Sequence, residues 1–254
     1  MLRRWCVAAI AVAAAVLATA SGSAESGTTE LTFDFETGPG TAGKPGAWTS
    51  GCFRSGETLG CLHTTGKGVL RAVPREDGTA IRFPAEGSAV IQVDHDDALN
   101  PGRADFTVSA LVRLPPGRAD AGANIVQKGG YDSARGQWKL QVDSGVPSCR
   151  VSGSTGKGGH TTAEVRAGRV LRDRWTALAC VREGSQLRLY IDGVKIDTAK
   201  NADADVDNMD PVLIGGKHAG PRNDQFRGDL DEVRVDVTGT ADTPGHRPSP
   251  TVID

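Results

Sequence analysis

RWTALACVREGSQLRLYIDGVK, residues 174–195, is the stretch that decides the fold. Its apolar residues alternate with polar ones, and two turn signals, Glu183-Gly184-Ser185 and Asp192-Gly193, break the alternation. Short alternating runs divided by such turns read as antiparallel strands. Asp-Gly favours a two-residue hairpin, because both central positions take positive φ. The stretch therefore predicts a three-stranded meander over 174–182, 186–191 and 194–198. Trp175, at its head, is expected in the core.

Further strands follow outward from this meander. Leu31–Glu36 alternates strictly, with Leu31, Phe33 and Phe35 on one face and Asp34 and Glu36 on the other. Residues 37–61 read as Gly-rich and irregular. Strands are predicted at 68–73, 79–83, 88–93 and 105–114, the last ended by Pro115-Pro116. Asn124–Lys128 and Gln137–Asp143 flank the loop GGYDSARG. Cys149–Val151 is a short strand before a second Gly-rich loop, and Pro211–Gly215 and Gly228–Val237 complete the pattern. No segment sustains a helical period. Many short strands with turn signals between them predict an all-β, two-sheet antiparallel jelly-roll sandwich. Its first and last strands are expected near each other.

The ends read differently. Arg3 and Arg4 precede an apolar run from Val7 to Ala18 and a small-residue A-x-A site. This is the pattern of a secretory signal peptide over 1–24, and the run is shorter than the ~20 residues a membrane span needs. The folded domain is expected over 25–237. The tail 238–254, with Pro244, Pro248 and Pro250, reads as extended or disordered. Formal charge is −2, and loss of Arg3 and Arg4 with the leader makes it two charges more negative. No Lys/Arg run or basic face is visible, which argues against nucleic acid as a partner. Cys52, Cys61, Cys149 and Cys180 follow the leader. Four cysteines in an exported chain allow three pairings; Cys52–Cys61 and Cys149–Cys180 are the expected ones.

The motifs LTFDFE, DFTVSALVRLP, NIVQKGGYDSARGQWKLQV, PSCRVSG, the meander, PVLIGG and FRGDLDEVRV occur in that order. In order and spacing they resemble laminin-G-like (LamG), concanavalin A-like domains, and Cys149 with Cys180 resembles a subset in secreted actinobacterial proteins. The resemblance implies a jelly roll that binds carbohydrate, glycoconjugates or proteins, often with calcium. Because some relatives are enzymes, it implies no single activity.

The E-x-D-x-x-E of glucanases on this sandwich, G-x-S-x-G and HExxH are all missing. Asp34 with Glu36, and Asp229 with Asp231, are carboxylates able to share a face. Asp203, Asp205 and Asp207 form a D-x-D-x-D loop, the oxygen-rich pattern a hard cation takes, and Asp94, Asp96 and Asp97 make a second acidic cluster. Asp231 poses its own question. Alternation with Val233, Val235 and Val237 turns it inward, where it needs partners, unless a bulge intervenes. Sugars stack on aromatic rings and take hydrogen bonds at their hydroxyls, so Tyr131, Arg135, Trp138 and Trp48 are the ligand-binding candidates. The expected function is a secreted, non-catalytic module recognising a polysaccharide or cell-surface glycan, calcium-assisted or not. A divergent glycosidase or polysaccharide lyase and a protein-interaction or envelope module stay open, as does oligomeric state.

Overall fold

The computed structural model describes residues 28–36, 47–55, 58–76, 78–118, 121–131, 133, 135–156 and 158–238. The expected leader, and the tail beyond Thr238, lie outside the described residues. In chain order the strands begin β1 (Thr28–Phe33), β2 (Ala47–Trp48), β3 (Gly51–Ser55), β4 (Thr58–Thr65), β5 (Leu70–Arg75) and β6 (Gly78–Arg82). Next are β7 (Ser88–Val93), β8 (Phe106–Arg113), β9 (Asn124–Lys128), β10 (Gln137–Asp143), β11 (Val146–Ser154) and β12 (His160–Arg166). The last are β13 (Thr176–Glu183), β14 (Gln186–Ile191), β15 (Val194–Lys200), β16 (Val212–Ile214) and β17 (Asp229–Thr238). One 3-10 turn, Asp97–Leu99, is capped by the Asp96 side chain, which accepts from Ala98 N at 2.8 Å.

The strands form two antiparallel sheets. The first orders β15-β14-β13-β8-β17-β6-β5-β2, with β1 beside β17; the second orders β12-β11-β10-β9-β16-β7-β4-β3. The period-2 pattern explains the packing: β8 buries Phe106, Val108, Ala110 and Val112 against the core and turns Thr107, Ser109, Leu111 and Arg113 outward. β1 pairs with β17 along its whole length, Leu31 opposite Val235, so first and last strands do meet. The predicted hairpin is present. Asp192 and Gly193 take φ of 52° and 75°, and Asp192 Oδ1 accepts from Ala177 N at 3.0 Å.

Both expected disulfides form. Cys52 and Cys61 are direct cross-strand partners on β3 and β4. Cys149 on β11 and Cys180 on β13 join the two sheets through the core.

Three expectations are corrected. Of the span 37–61 expected to be irregular, the described residues carry β2, β3 and the start of β4, and Gly51 and Gly60, read as loop residues, sit in β3 and β4. A Cβ at Gly60 would lie 2.8 Å from both Ile91 and Phe33, so its smallness serves packing within a strand. The second Gly-rich loop contains β12 (His160–Arg166), whose inward residues are only Ala163 and Val165. Trp175 is half-buried rather than core. Inward parity on β13 belongs to Thr176, Leu178, Cys180 and Arg182, which puts Trp175 on the other side.

Arg182 is the least expected core residue. It is buried without a carboxylate partner, and its guanidinium donates instead to the carbonyls of Gly102 (2.9 Å), Ala204 (2.8 Å) and Ala104 (2.9 Å). It also lies over the Phe106 ring, 4.7 Å from the centroid. Burial pulls its pKa down to about 10, with Asp105, Asp205 and Asp203 opposing.

Candidate functional site

Strand parity fixes what the second sheet shows outward. On β10, Trp138, Leu140 and Val142 enter the core, so Gln137, Lys139, Gln141 and Asp143 take the opposite face. The same parity turns Ser148, Arg150 and Ser152 outward on β11, and Thr162, Glu164 and Arg166 on β12. Register aligns Glu164, Arg150, Lys139 and Gln127 in one row across four strands, and Arg166, Ser148, Gln141 and Asn124 in the next.

Much of this polar floor is buried although it is not core. Asn124, Gln127, Gln137, Gln141, Ser148 and Ser152 are all 5% exposed or less. They partly satisfy one another. Gln137 Nε2 and Gln127 Nε2 donate to Gly129 O at 2.9 and 3.2 Å, and Asn124 Nδ2 donates to Gln127 Oε1 at 2.6 Å. Gln141 Nε2 donates to Ser148 Oγ at 2.9 Å and to Asp143 Oδ2 at 2.8 Å. Other valences stay open. Asn124 Oδ1, Gln137 Oε1 and Arg150 Nε have no partner among the described residues, and neither does Lys139 Nζ. Buried polar atoms are ordinarily paired; the unpaired atoms of Asn124 and Gln137 are closed to solvent, and the reachable polar groups of this face are those of Lys139, Arg150 and Glu164.

The electrostatics of the floor follow from its burial. Desolvation lowers the Lys139 pKa; Asp143, Glu164 and Asp224 oppose it, while the Arg150 charge adds to it. Desolvation raises the Asp143 pKa, countered by the N–H of Ala123 and the charges of Lys139 and Arg166. At the rim stands Tyr131, 65% exposed. The Arg150 guanidinium lies 4.5 Å from its ring centroid and fixes the ring beside the floor. Arg150 Nη1 also faces Glu164 Oε2 at 3.5 Å.

The candidates from sequence separate in the fold. Tyr131 stands at the rim, 65% exposed, with one face of its ring covered by Arg150. Arg135 is held by Asp207, donating through Nε to its carbonyl at 2.7 Å and pairing with its carboxylate at 3.2 Å. Trp138 and Trp48 are buried and offer no ring to a ligand. Trp138 takes the core parity of β10 against Phe106, and Trp48 packs on Phe53. The residues missed were Lys139, Arg150, Gln137, Gln127, Asn124 and Glu164. For Gln137, Lys139 and Arg150 the signal was present in QWKLQVD and SCRVS, where every polar position alternates with a core residue; Asn124, Gln127 and Glu164 join them only through register.

The acidic loop does not gather an ion site. Ala202, Ala204 and Val206 turn inward, leaving Asp203, Asp205 and Asp207 strung along the outer side. Asp207 is engaged by Arg135 and by Asn100 Nδ2 at 3.1 Å. Among the described residues no group of three or more His, Cys, Asp or Glu is arranged to hold a metal, so this loop does not fit the calcium that the resemblance implies. In the second cluster Asp96 caps the 3-10 turn, Asp97 faces His95 Nε2 at 3.0 Å, and Asp94 accepts from Gln92 at 3.3 Å.

The paired carboxylates are committed too. Asp34 Oδ1 accepts from Ser55 Oγ at 3.2 Å, and Glu36 Oε1 accepts from Thr79 N at 2.9 Å. Asp229 is buried and held bidentately by Arg82, at 2.7 and 2.9 Å. The question posed by Asp231 has a double answer. A bulge does intervene, with Glu232 at φ 45°, and sets Asp231 opposite Leu111 on the outer face. It is nevertheless buried there, in an ion pair with Arg75. Burial outweighs that pair and raises its pKa to about 6.

Comparisons agree with this architecture. A family model described as the concanavalin A-like lectin/glucanases superfamily, of laminin G type, matches residues 85–241. No curated protein matches the sequence. Among solved structures, the binding domain of Paraclostridial Mosquitocidal Protein 1 aligns with TM-score 0.55 at 18% identity, over 76% of this chain and 49% of that one. The botulinum neurotoxin serotype G binding domain aligns with TM-score 0.54 at 9% identity, over 74% and 45%. The botulinum neurotoxin DC binding domain, in complex with SialylT, aligns with TM-score 0.51 at 11% identity, over 76% and 48%. The chain spans about half the length of these structures, and at such identities the shared property is the fold.

Proposed function

The chain belongs to the concanavalin A-like lectin/glucanases superfamily, and from that premise we propose that it is an exported glycan-binding module whose site is the outer face of β9–β12. The observation that carries the reading is the outward row of charged side chains across β10, β11 and β12, Lys139, Arg150 and Glu164, with the exposed ring of Tyr131 beside it. A sugar presents donors and acceptors on adjacent carbons and a C–H face between them. The floor supplies both kinds of partner, and Tyr131 supplies an exposed ring at its edge. A related fold, the botulinum neurotoxin DC binding domain, is known in complex with SialylT, which supports a glycan as the ligand class.

Export is part of the proposal. The leader pattern and two disulfides both suit an oxidising compartment, and no helix among the described residues is long and apolar enough to cross a membrane. Calcium is not required by this reading.

A glycan array followed by titration calorimetry tests it, with and without chelator. Tyr131→Ala and Lys139→Ala should each weaken the best ligand about tenfold, the loss of roughly 1.4 kcal/mol that a stacked ring or a hydrogen bond to a charged group supplies. Binding to no glycan, or binding indifferent to both substitutions, overturns the assignment. Release of reducing ends or unsaturated products from a polysaccharide panel would instead establish an enzyme.

A further inference from the structure

We propose a second, anion-selective site on the opposite sheet: a basic cleft that takes an acidic glycan through its sulfate or carboxylate groups. The sequence shows no basic run, but folding makes one. A cleft of about 550 Å³ is lined by six cations, Lys67, Arg71, Arg82, Arg113, Arg118 and Arg227, against one lining acid, Glu86. Its size is ordinary for a ligand site.

The cations are placed by register. Arg71 lies directly opposite Arg82, Arg82 opposite Asp229, and Asp229 opposite Arg113, a single row across β5, β6, β17 and β8. Neighbours in such a row sit ~4.8 Å apart. Local acids answer only part of the charge. Asp229 engages Arg82, Asp173 engages Arg113 at 2.7 Å, and Glu86 engages Lys67 at 2.9 Å. Arg227 leans on the carbonyls of Pro84 and Ala85, at 3.1 and 2.8 Å. The side chains of Arg71 and Arg118 make no hydrogen bond or ion pair among the described residues. Arg71 faces Arg82, whose charge Asp229 already answers, so Arg71 and Arg118 are the cations an incoming anion meets.

The chemistry of the lining selects the class. Guanidinium forks match the paired oxygens of sulfate and carboxylate. Single-stranded nucleic acid would add base stacking, but the one aromatic residue lining the cleft, Phe83, is 1% exposed and packed edge-on against Phe226 at 5.8 Å. Duplex DNA presents only its phosphates, so a direct comparison of affinities separates it from an acidic glycan; the arginine row gives an extended anion more than one contact.

The test uses the full chain and measures affinity for a sulfated glycan, a polyuronate, a neutral polysaccharide and duplex DNA across a salt series. Arg71→Ala with Arg118→Ala removes one exposed and one half-buried side chain, neither of them in the core. This double variant should keep the wild-type melting temperature and weaken the acidic-glycan interaction about tenfold. The slope of log affinity against log salt should become shallower by about one to two, as loss of two ion contacts demands. Affinity for the neutral polysaccharide should not change in the double variant, which separates the cleft from the polar floor. Unchanged acidic-glycan affinity in the double variant, or duplex DNA bound as tightly as the acidic glycans, overturns the proposal.

Discussion

Replacing Arg182 by Met tests how this sandwich holds its long connections. The guanidinium donates to Gly102, Ala104 and Ala204, and also lies 3.4 Å from Pro101 O. Two of these carbonyls have other donors: Gly102 O accepts from Val206 N at 3.0 Å, and Pro101 O from Ala104 N at 2.6 Å. Ala104 O and Ala204 O depend on Arg182. Each orphaned buried carbonyl costs about 1–3 kcal/mol, so the gross loss is about 2–6 kcal/mol. Methionine fills much of the volume and relieves the buried charge, which returns part of it. The expected net loss is about 2–4 kcal/mol, read from urea denaturation with an unchanged m-value. Hydrogen exchange should place the first loss of protection at the amides of Gly102, Asp205 and Val206, ahead of β13 itself. Arg182→Met within about 1 kcal/mol of wild type, or exchange that rises uniformly across the domain, would refute the reasoning.

Three further outcomes are expected. The chain-entropy relation gives about 3.7 kcal/mol for the inter-sheet Cys149–Cys180 link, which closes a separation of 31, and about 2.6 for Cys52–Cys61, with a separation of 9. Paired Cys→Ala variants in denaturant should therefore rank in that order, and the reverse order would reject it. Asp231 carries a folded pKa of about 6 against 3.8 unfolded, so the folded state holds its proton more tightly. Its contribution is present below pH ~4 and lost as pH rises through 6, about 3 kcal/mol in all. Stability of Asp231→Asn, followed from pH 4 to 7, should lack that decline. Gly60→Ala places a methyl 2.8 Å from Phe33 and Ile91 and should cost about 1–3 kcal/mol by overpacking, measured as a shift in melting temperature; a neutral result would mean the β1–β4 contact is loose.

Three strands were legible to the residue: Ser88–Val93, Asn124–Lys128 and Gln137–Asp143 occupy the predicted spans. The strongly alternating ones were found with ends displaced: 105–114 became Phe106–Arg113, 174–182 became Thr176–Glu183, and Leu31–Glu36 became Thr28–Phe33. What failed were positions where one residue type has two physical uses. Gly60 reads as a turn but is a strand residue kept small by Phe33 and Ile91. His160–Arg166 buries only Ala163 and Val165, too little apolar contrast to mark a strand beside a Gly-rich stretch. Trp175 looked like core by size, yet parity on β13 was fixed by Cys180 reaching across to Cys149. For the floor, aromatic content drew attention to Trp48 and Trp138, which the core needed; the charged side chains of the outward row carried the reachable polar groups.

Register explains the remaining gap, and it reaches function. In a helix, charges that cooperate are three or four residues apart and show as a local pattern. In a sheet, the cooperating neighbours run perpendicular to the chain, and their spacing in sequence is arbitrary. Arg82 and Asp229 are in contact at a separation of 147 residues, and Glu164, Arg150 and Lys139 align only because β12, β11 and β10 pair as they do. A net charge of −2 and the lack of a Lys/Arg run thus say nothing about local potential in an all-β chain. The polar floor and the basic row face opposite ways because each is the outward parity of its own sheet. The core that separates them lets one substitution set probe each face without disturbing the other, which is why Tyr131→Ala and the Arg71/Arg118 double variant discriminate between a single glycan-binding surface and two.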